Sequence, residues 1–167
     1  TYAVLGNHDH WAAPDATGKA LRDAGLHLLC DDTDALSVGG NTINIAGHDY
    51  PWGKRQKHLS PQPGDALNIV LSHTADNIYR VSRTPADLMF CGHYHAGQIR
   101  APFIGPIVVP SIYGRRFDHG HFVVHDTHLF VASGVGAAAP PVRIYCQPDI
   151  FVVDVIEETE ILPSHGV

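Results

Sequence analysis

The chain has 167 residues, of which 44% are hydrophobic and 17% charged, with a formal net charge of -6 at pH 7. This composition is typical of one globular domain with a sizeable core, and the acidic balance argues against a general nucleic-acid-binding protein. A phosphate substrate remains compatible with it, because bound cations reverse the local field. The three distant cysteines, Cys30, Cys91 and Cys146, form no disulfide framework, and no apolar run reaches the roughly 18 residues of a membrane span.

In the first half of the chain, helices alternate with short apolar strands. Strands are predicted at residues 2–5, 27–30, 35–38, 42–46, 68–72 and 88–91, and helices at residues 14–24 and 75–81. Gly25 is predicted to end the first helix in the left-handed conformation. Residues 39–41 indicate a turn, and the Pro-rich residues 48–64 a surface loop.

Strands dominate the second half. They are predicted at residues 98–101, 107–109, 121–125, 129–132, 142–145 and 150–155, with a hairpin turn at Asp126-Thr127 and a frayed tail at residues 157–167. Helix–strand alternation followed by a run of strands predicts an α/β sandwich of two mixed sheets with helices outside.

Three histidine motifs each follow a predicted strand. They are Gly6-Asn7-His8-Asp9, the single His73, and Gly92-His93-Tyr94-His95. Because an α/β sheet builds its sites at the carboxyl ends of its strands, we expect these motifs to share one site. Neutral imidazole and amide oxygen suit Zn, Mn or Fe. In an extended segment, residues two apart face the same side, so His93 and His95 are expected to face the site and Tyr94 to turn away.

In order and spacing, these motifs resemble the last three motifs of the calcineurin-like metallophosphoesterases. Residues 102–116 further resemble a bacterial subgroup whose members are often membrane-associated or exported. The resemblance covers residues 2–155 and implies a four-layer α/β/β/α sandwich, with residues 1–156 as the carboxy-terminal portion of one such domain.

The same resemblance implies two further motifs, Asp-x-His and Gly-Asp-x-x-Asp, before Gly6. Only five residues precede Gly6, so we expect an amino-terminal part, on the order of 100 residues, to be missing. Asp126-Thr127-His128 and Gly64-Asp65 mimic these motifs in the wrong order, and they indicate a turn and a loop instead.

The resemblance also implies a dinuclear centre of two divalent ions (Mn, Fe or Zn). Asn7, His73 and His93 would bind the second ion and His95 the first, and a hydroxide bridging the ions would attack a phosphate ester or pyrophosphate bond. His8 would protonate the leaving oxygen, with Asp9 accepting a hydrogen bond from His8. Arg115 and Arg116 are candidate substrate-binding residues, because guanidinium suits bidentate phosphate contact.

Other assignments stay open at this stage. The expected substrate is a phosphorylated small molecule or a lipid-linked one. Peripheral membrane association, at the cytoplasmic membrane or after export from a bacterium, follows from the subgroup resemblance alone. The alternative function is a catalytically incomplete metal-binding fragment or regulatory module, and a plain structural domain is a third hypothesis. Asp76 could orient a metal ligand, and Trp11 could line the site, although a core position is favoured.

Overall fold

The computed structural model describes residues 1–53 and 66–156. The strands are β1 (Tyr2–Ala3), β2 (His27–Leu28), β3 (Asp32–Val38), β4 (Asn41–His48), β5 (Leu67–Ser72), β6 (Leu88–Cys91), β7 (Arg100–Ala101), β8 (Gly105–Pro106), β9 (Gly120–Val124) and β10 (Thr127–Val131). The helices are α1 (Asn7–Ala12), α2 (Pro14–Asp23) and α3 (Ile78–Val81), and 3-10 turns cover Ala75–Asn77 and His95–Gly97.

The main sheet is mixed and has six strands in the order β3-β4-β5-β6-β10-β9. Strands β4, β5, β6 and β10 run parallel, and β3 and β9 pair antiparallel at the two edges. Strands β1 and β2 form a separate parallel pair, and β7 and β8 form a hairpin. The predicted α/β class is confirmed, and the four-layer arrangement stays a prediction.

The core lies on one face of the parallel strands. Val70, Met89 and Leu129 are directly opposite one another on β5, β6 and β10, and all three are fully buried. Ile78 and Val81 of α3 belong to the same buried cluster. Alternating burial along β5 and β6 therefore sets which face of the sheet α3 covers.

A close approach brings β1 and β2 to the main sheet. A Cβ on Gly47 of β4 would lie 2.3 Å from Cβ and 2.8 Å from the carbonyl oxygen of Leu29, which directly follows β2. Only glycine fits there, and its missing side chain lets the chain that leaves β2 lie against β4.

Most predicted elements are confirmed with shifted bounds. The first helix is Pro14–Asp23, and Gly25 has φ +80° as predicted. The second predicted helix is divided into a 3-10 turn and the short α3. The hairpin turn between β9 and β10 falls at residues 125–126, one residue before its predicted place. Residues 54–65, which include Gly64-Asp65, and the tail at residues 157–167 lie outside the described residues.

Three predicted strands are wrong. Residues 107–109 are irregular, because the hairpin strand forms at Gly105–Pro106 instead. Residues 142–145 contribute a single bridge, between Ile144 and Ile99. Residues 150–155 form no strand, and Ile150 and Val152 are exposed. Apolar β-branched residues favour strands only where a neighbouring strand is available to pair with them.

Across residues 1–53 and 66–156, no helix is long and apolar enough to cross a membrane.

We expect Leu129→Ala to destabilise the chain by about 2–5 kcal/mol, because it leaves a cavity in the buried row between β6 and β9. Val123→Ala, on the same hairpin at 57% exposure, is the matched control and should cost less than about 1 kcal/mol. Urea denaturation measures both free energies of unfolding. Equal costs would contradict the assigned core.

Candidate metal centre

Three polar side chains meet at one end of the sheet. Nε2 of His73, which directly follows β5, lies 3.0 Å from Oδ1 of Asn7 and 3.1 Å from Nδ1 of His93. Asn7 begins α1, and His93 lies two residues beyond β6. We call Asn7, His73 and His93 the three-donor cluster. The predicted meeting of the three motifs is therefore confirmed, although Asn7 is delivered from the small β1–β2 sheet.

The missing side chain of Gly6 makes room for the His73 ring. A Cβ at Gly6 would lie 2.7 Å from Cε1 and 3.0 Å from both ring nitrogens of His73. No heavy atom fits at these distances, so the ring packs directly on the Gly6 backbone. The glycine before Asn7 thus places His73 as well as the turn into α1.

The two imidazoles of the cluster are neutral at pH 7. Both contacts use the same nitrogen, His73 Nε2. This nitrogen of a neutral ring carries at most one hydrogen, which the Asn7 oxygen and the His93 nitrogen would have to share. Burial, with a smaller effect of His93, lowers the pKa of His73 to about 4. Burial also lowers the pKa of His93, against the effect of nearby Asp76. Both rings are therefore neutral at pH 7 and can offer lone pairs to a cation.

The donor types suit a divalent transition ion. Two imidazole nitrogens and an amide oxygen match Zn, Mn or Fe. Among the described residues, no group of three or more His, Cys, Asp or Glu side chains is placed to hold a metal ion. The third donor here is the amide of Asn7, whose side chain is buried. The cluster fits one ion by its chemistry, with an incomplete set of protein donors.

A hydrogen-bonded network supports the His93 side of the cluster. The backbone of Pro110 hydrogen-bonds the His93 ring and favours its protonated form. Directly after Pro110, the Ser111 hydroxyl donates to Asp76 Oδ1 at 2.6 Å. The buried Tyr94 hydroxyl donates to the same oxygen at 2.8 Å. Asp76 therefore binds the loop whose Pro110 contacts His93. Its predicted role in orienting a metal ligand would act through this loop.

His95 reaches the site by an unexpected backbone path. His93 and His95 have φ values of +72° and +48° on either side of the right-handed Tyr94, so the segment is a tight turn and the predicted extended geometry is wrong. Both rings nevertheless line one cavity, and Tyr94 is buried in the core as predicted. Burial and the neighbouring Arg143 guanidinium lower the pKa of His95, whose Nδ1 lies 3.5 Å from that guanidinium.

His8 and Asp9 have separate partners. His8 is exposed, lines the cavity, and contacts the Trp11 ring edge-on at 5.3 Å between centroids. The Asp9 carboxylate accepts a hydrogen bond from the Gly6 backbone N–H at 2.8 Å and so caps α1. The predicted His8–Asp9 hydrogen bond is replaced by this cap.

Arg115 and Arg116 are exposed and do not line the cavity at His93. Arg115 donates to the Ile104 carbonyl, and the Arg116 guanidinium lies over the Tyr79 and Phe117 rings. Their substrate-binding role stays a prediction.

Two tryptophans flank the histidines. Trp52 meets the rings of His73 and His93 edge-on, with centroids 5.4 and 5.1 Å away. Trp11 is 67% exposed at the cavity, so the favoured core position is wrong. Trp11 is a neighbour of the first motif, which could have indicated its place. Trp52 carries no such signal, because its loop is distant in sequence from every motif.

The sequence is similar to those of several curated proteins. The chain is 33% identical over 154 residues to the uncharacterized metallophosphoesterase YkuE of Bacillus subtilis. This match covers 89% of the chain and 54% of YkuE. It is 27% identical over 159 residues to the phosphodiesterase YaeI of Escherichia coli, with 93% of this chain and 58% of YaeI covered. An uncharacterized metallophosphoesterase of Aquifex aeolicus is 26% identical over 163 residues, covering 92% of this chain and 60% of that protein.

Similarity to these relatives over about nine-tenths of the chain supports the metallophosphoesterase family as its class. The chain spans about half the length of the curated relatives that it matches. No protein-family model matches the chain, and no solved structure matches it significantly.

We expect Gly6→Ala to weaken binding of Mn²⁺ or Zn²⁺ by about tenfold or more, because the new methyl group displaces the His73 ring. Val123→Ala, at an exposed position that does not line the cavity, is the control. Calorimetric titration of the ion measures both affinities. Equal affinities would show that His73 does not need this packing.

We expect Asp76→Ala to destabilise the chain by about 1–3 kcal/mol, because it removes the acceptor shared by Tyr94 and Ser111. Asp154→Ala, at an exposed position, should change the free energy of unfolding by less than about 0.5 kcal/mol. Denaturation gives the stability, and faster amide exchange near Ser111 would report the loosened loop. Unchanged exchange there would separate Asp76 from the support of His93.

Proposed function

We propose that this chain carries catalytic residues of a metal-dependent phosphoesterase. The observation that supports this most strongly is the three-donor cluster, in which Asn7, His73 and His93 meet through atoms 3.0–3.1 Å apart. The names of the relatives, metallophosphoesterase and phosphodiesterase, agree in reaction class.

The roles of the residues follow from their chemistry. Asn7, His73 and His93 would bind one divalent ion, and His95 would bind a second. Two such ions, when bound, would supply a bridging hydroxide nucleophile and neutralise charge on the phosphoryl oxygens. His8 lies at the same cavity and is free of the cluster, so it can donate a proton to the leaving oxygen. Asp9 would position His8 indirectly, by capping the helix that carries it.

The substrate class proposed at this level is a phosphate ester. The name of the Escherichia coli relative makes a phosphodiester the first choice for an assay. A lipid-linked substrate, a pyrophosphate bond, peripheral membrane association and a bacterial membrane or exported location stay predictions.

A second candidate function is a metal-binding module without catalysis. Within residues 1–53 and 66–156, the three-donor cluster offers two histidines and one amide. His95 lies beside Arg143 and hydrogen-bonds the Gly136 backbone, which is a poor setting for a cation. These contacts favour a single, weakly bound ion.

Metal content and hydrolysis distinguish the phosphoesterase from the metal-binding module. Both are measured with Mn, Fe and Zn, using p-nitrophenyl phosphate and bis(p-nitrophenyl) phosphate, for the 167-residue chain and for the product of the complete reading frame that contains it. We expect the complete product to bind two ions and hydrolyse an ester. One bound ion without hydrolysis in both proteins would favour the binding module.

Single substitutions in the complete product separate binding from chemistry. We expect His93→Ala to weaken metal binding by about 100-fold or more and to abolish turnover. His8→Ala should lower kcat by about 10²–10⁴ with unchanged metal content. His27→Ala, at an exposed histidine away from the cavity, is the control for both. If no ester is hydrolysed and His93→Ala leaves the metal content unchanged, the proposal is wrong.

A further inference from the structure

The cavity that contains His8, His93 and His95 has an apolar wall. Its volume is about 530 Å³, within the range of small-molecule sites. Beside the histidines, the cavity is lined by the apolar side chains of Trp11, Trp52, Ile99, Val108, Pro110 and Pro140. Among the described residues that line it, none is Asp, Glu, Lys or Arg.

Gln98 and Tyr94, which also line the cavity, already use their polar groups within the protein. The Gln98 amide donates to the carbonyls of Ala138 and Pro140, and its oxygen accepts from the Ala138 N–H. The Tyr94 hydroxyl is used by Thr74 and Asp76. A ligand rich in hydroxyl groups, such as glycerol or a sugar, would leave those groups unpaired against this wall, which is costly. Among the described lining residues, a charged organic group would find no Asp, Glu, Lys or Arg as a counter-charge.

The two indoles favour an aromatic group in particular. Trp52 is edge-on to His73 and His93, and Trp11 is edge-on to His8, so both rings stand beside the atoms proposed for chemistry. Trp11 keeps 67% of its surface exposed, which is a large apolar area for a short helix to present to water. An aromatic ring gains stacking energy there in addition to burial.

We propose that the substrate is a phosphoester whose organic group is uncharged and aromatic, and that Trp11 and Trp52 bind this group while the three-donor cluster faces the phosphate. This substrate class rests on the proposed function. The apolar group would then lie on the indoles, with His8 next to the ester oxygen.

Binding of phosphonates tests this without chemistry, because their C–P bond is not hydrolysed. Phenylphosphonate, cyclohexylphosphonate and methylphosphonate are titrated into the Mn²⁺-loaded chain by calorimetry. Trp11 and Trp52 are the two tryptophans of the 167 residues, so indole fluorescence reports on this cavity directly. We expect phenylphosphonate to bind about tenfold more tightly than methylphosphonate, with cyclohexylphosphonate between them.

Variants assign the preference to the indoles. Trp11→Ala and Trp52→Ala should each reduce the phenyl-to-methyl preference by about threefold or more, and the Phe replacements should keep most of it. Phe103→Ala, which removes a fully exposed aromatic ring that does not line the cavity, should leave the preference unchanged.

Several outcomes would overturn the inference. They are equal affinity for phenyl and methyl, equal affinity for phenyl and cyclohexyl, no binding of any phosphonate, or a preference that survives both alanine variants. Failure to hydrolyse any ester would instead overturn the proposed function, and the phosphonate ranking would remain as a separate result.

Discussion

The packing of the His73 ring on the bare Cα of Gly6 is the contact on which the site depends. It joins the end of β5 in the main sheet to the chain that leaves β1 in the small sheet. The close approach of Gly47 to Leu29 brings the small sheet to the required position. Two glycines therefore carry the geometry, because each allows a backbone-to-side-chain distance that any Cβ would prevent.

Burial then decides the chemistry of the cluster. The same packing that places His73 removes it from water, and this lowers its pKa to about 4. A protonated imidazole would repel a cation, whereas a neutral one donates its lone pair. The position of the His73 ring and its lowered pKa therefore have one cause, the burial of the ring at the junction of the two sheets. The apolar wall of the cavity, in which Trp52 contacts both His73 and His93, extends this exclusion of solvent.

The part of the site that depends on strands could be predicted from sequence. Apolar runs that end at His73 and near His93 indicate parallel strands, and the ends of neighbouring parallel strands lie at one edge. The turn with positive φ at His93 and His95 could not, because positive φ at non-glycine residues is imposed by tertiary contacts. The Asp9 carboxylate accepts from the Gly6 N–H instead of from His8, because an acidic side chain in the first turn of a helix can cap the backbone before it. The missing strands at residues 142–145 and 150–155 reflect the absence of described neighbours for pairing, which local propensity does not report.

The sequence separation of the three cluster residues has a consequence for the rate of folding. Asn7 and His73 are 66 residues apart in sequence, and His73 and His93 are 20 apart. Closing loops of this length before any compensating contact forms is entropically costly and slows folding. The β5–β6 side can assemble first, through the short connection that contains α3. Asn7 is expected to dock last, so competence to bind an ion arises only when the chain is completely folded, and during refolding bound metal should rise in the slowest phase.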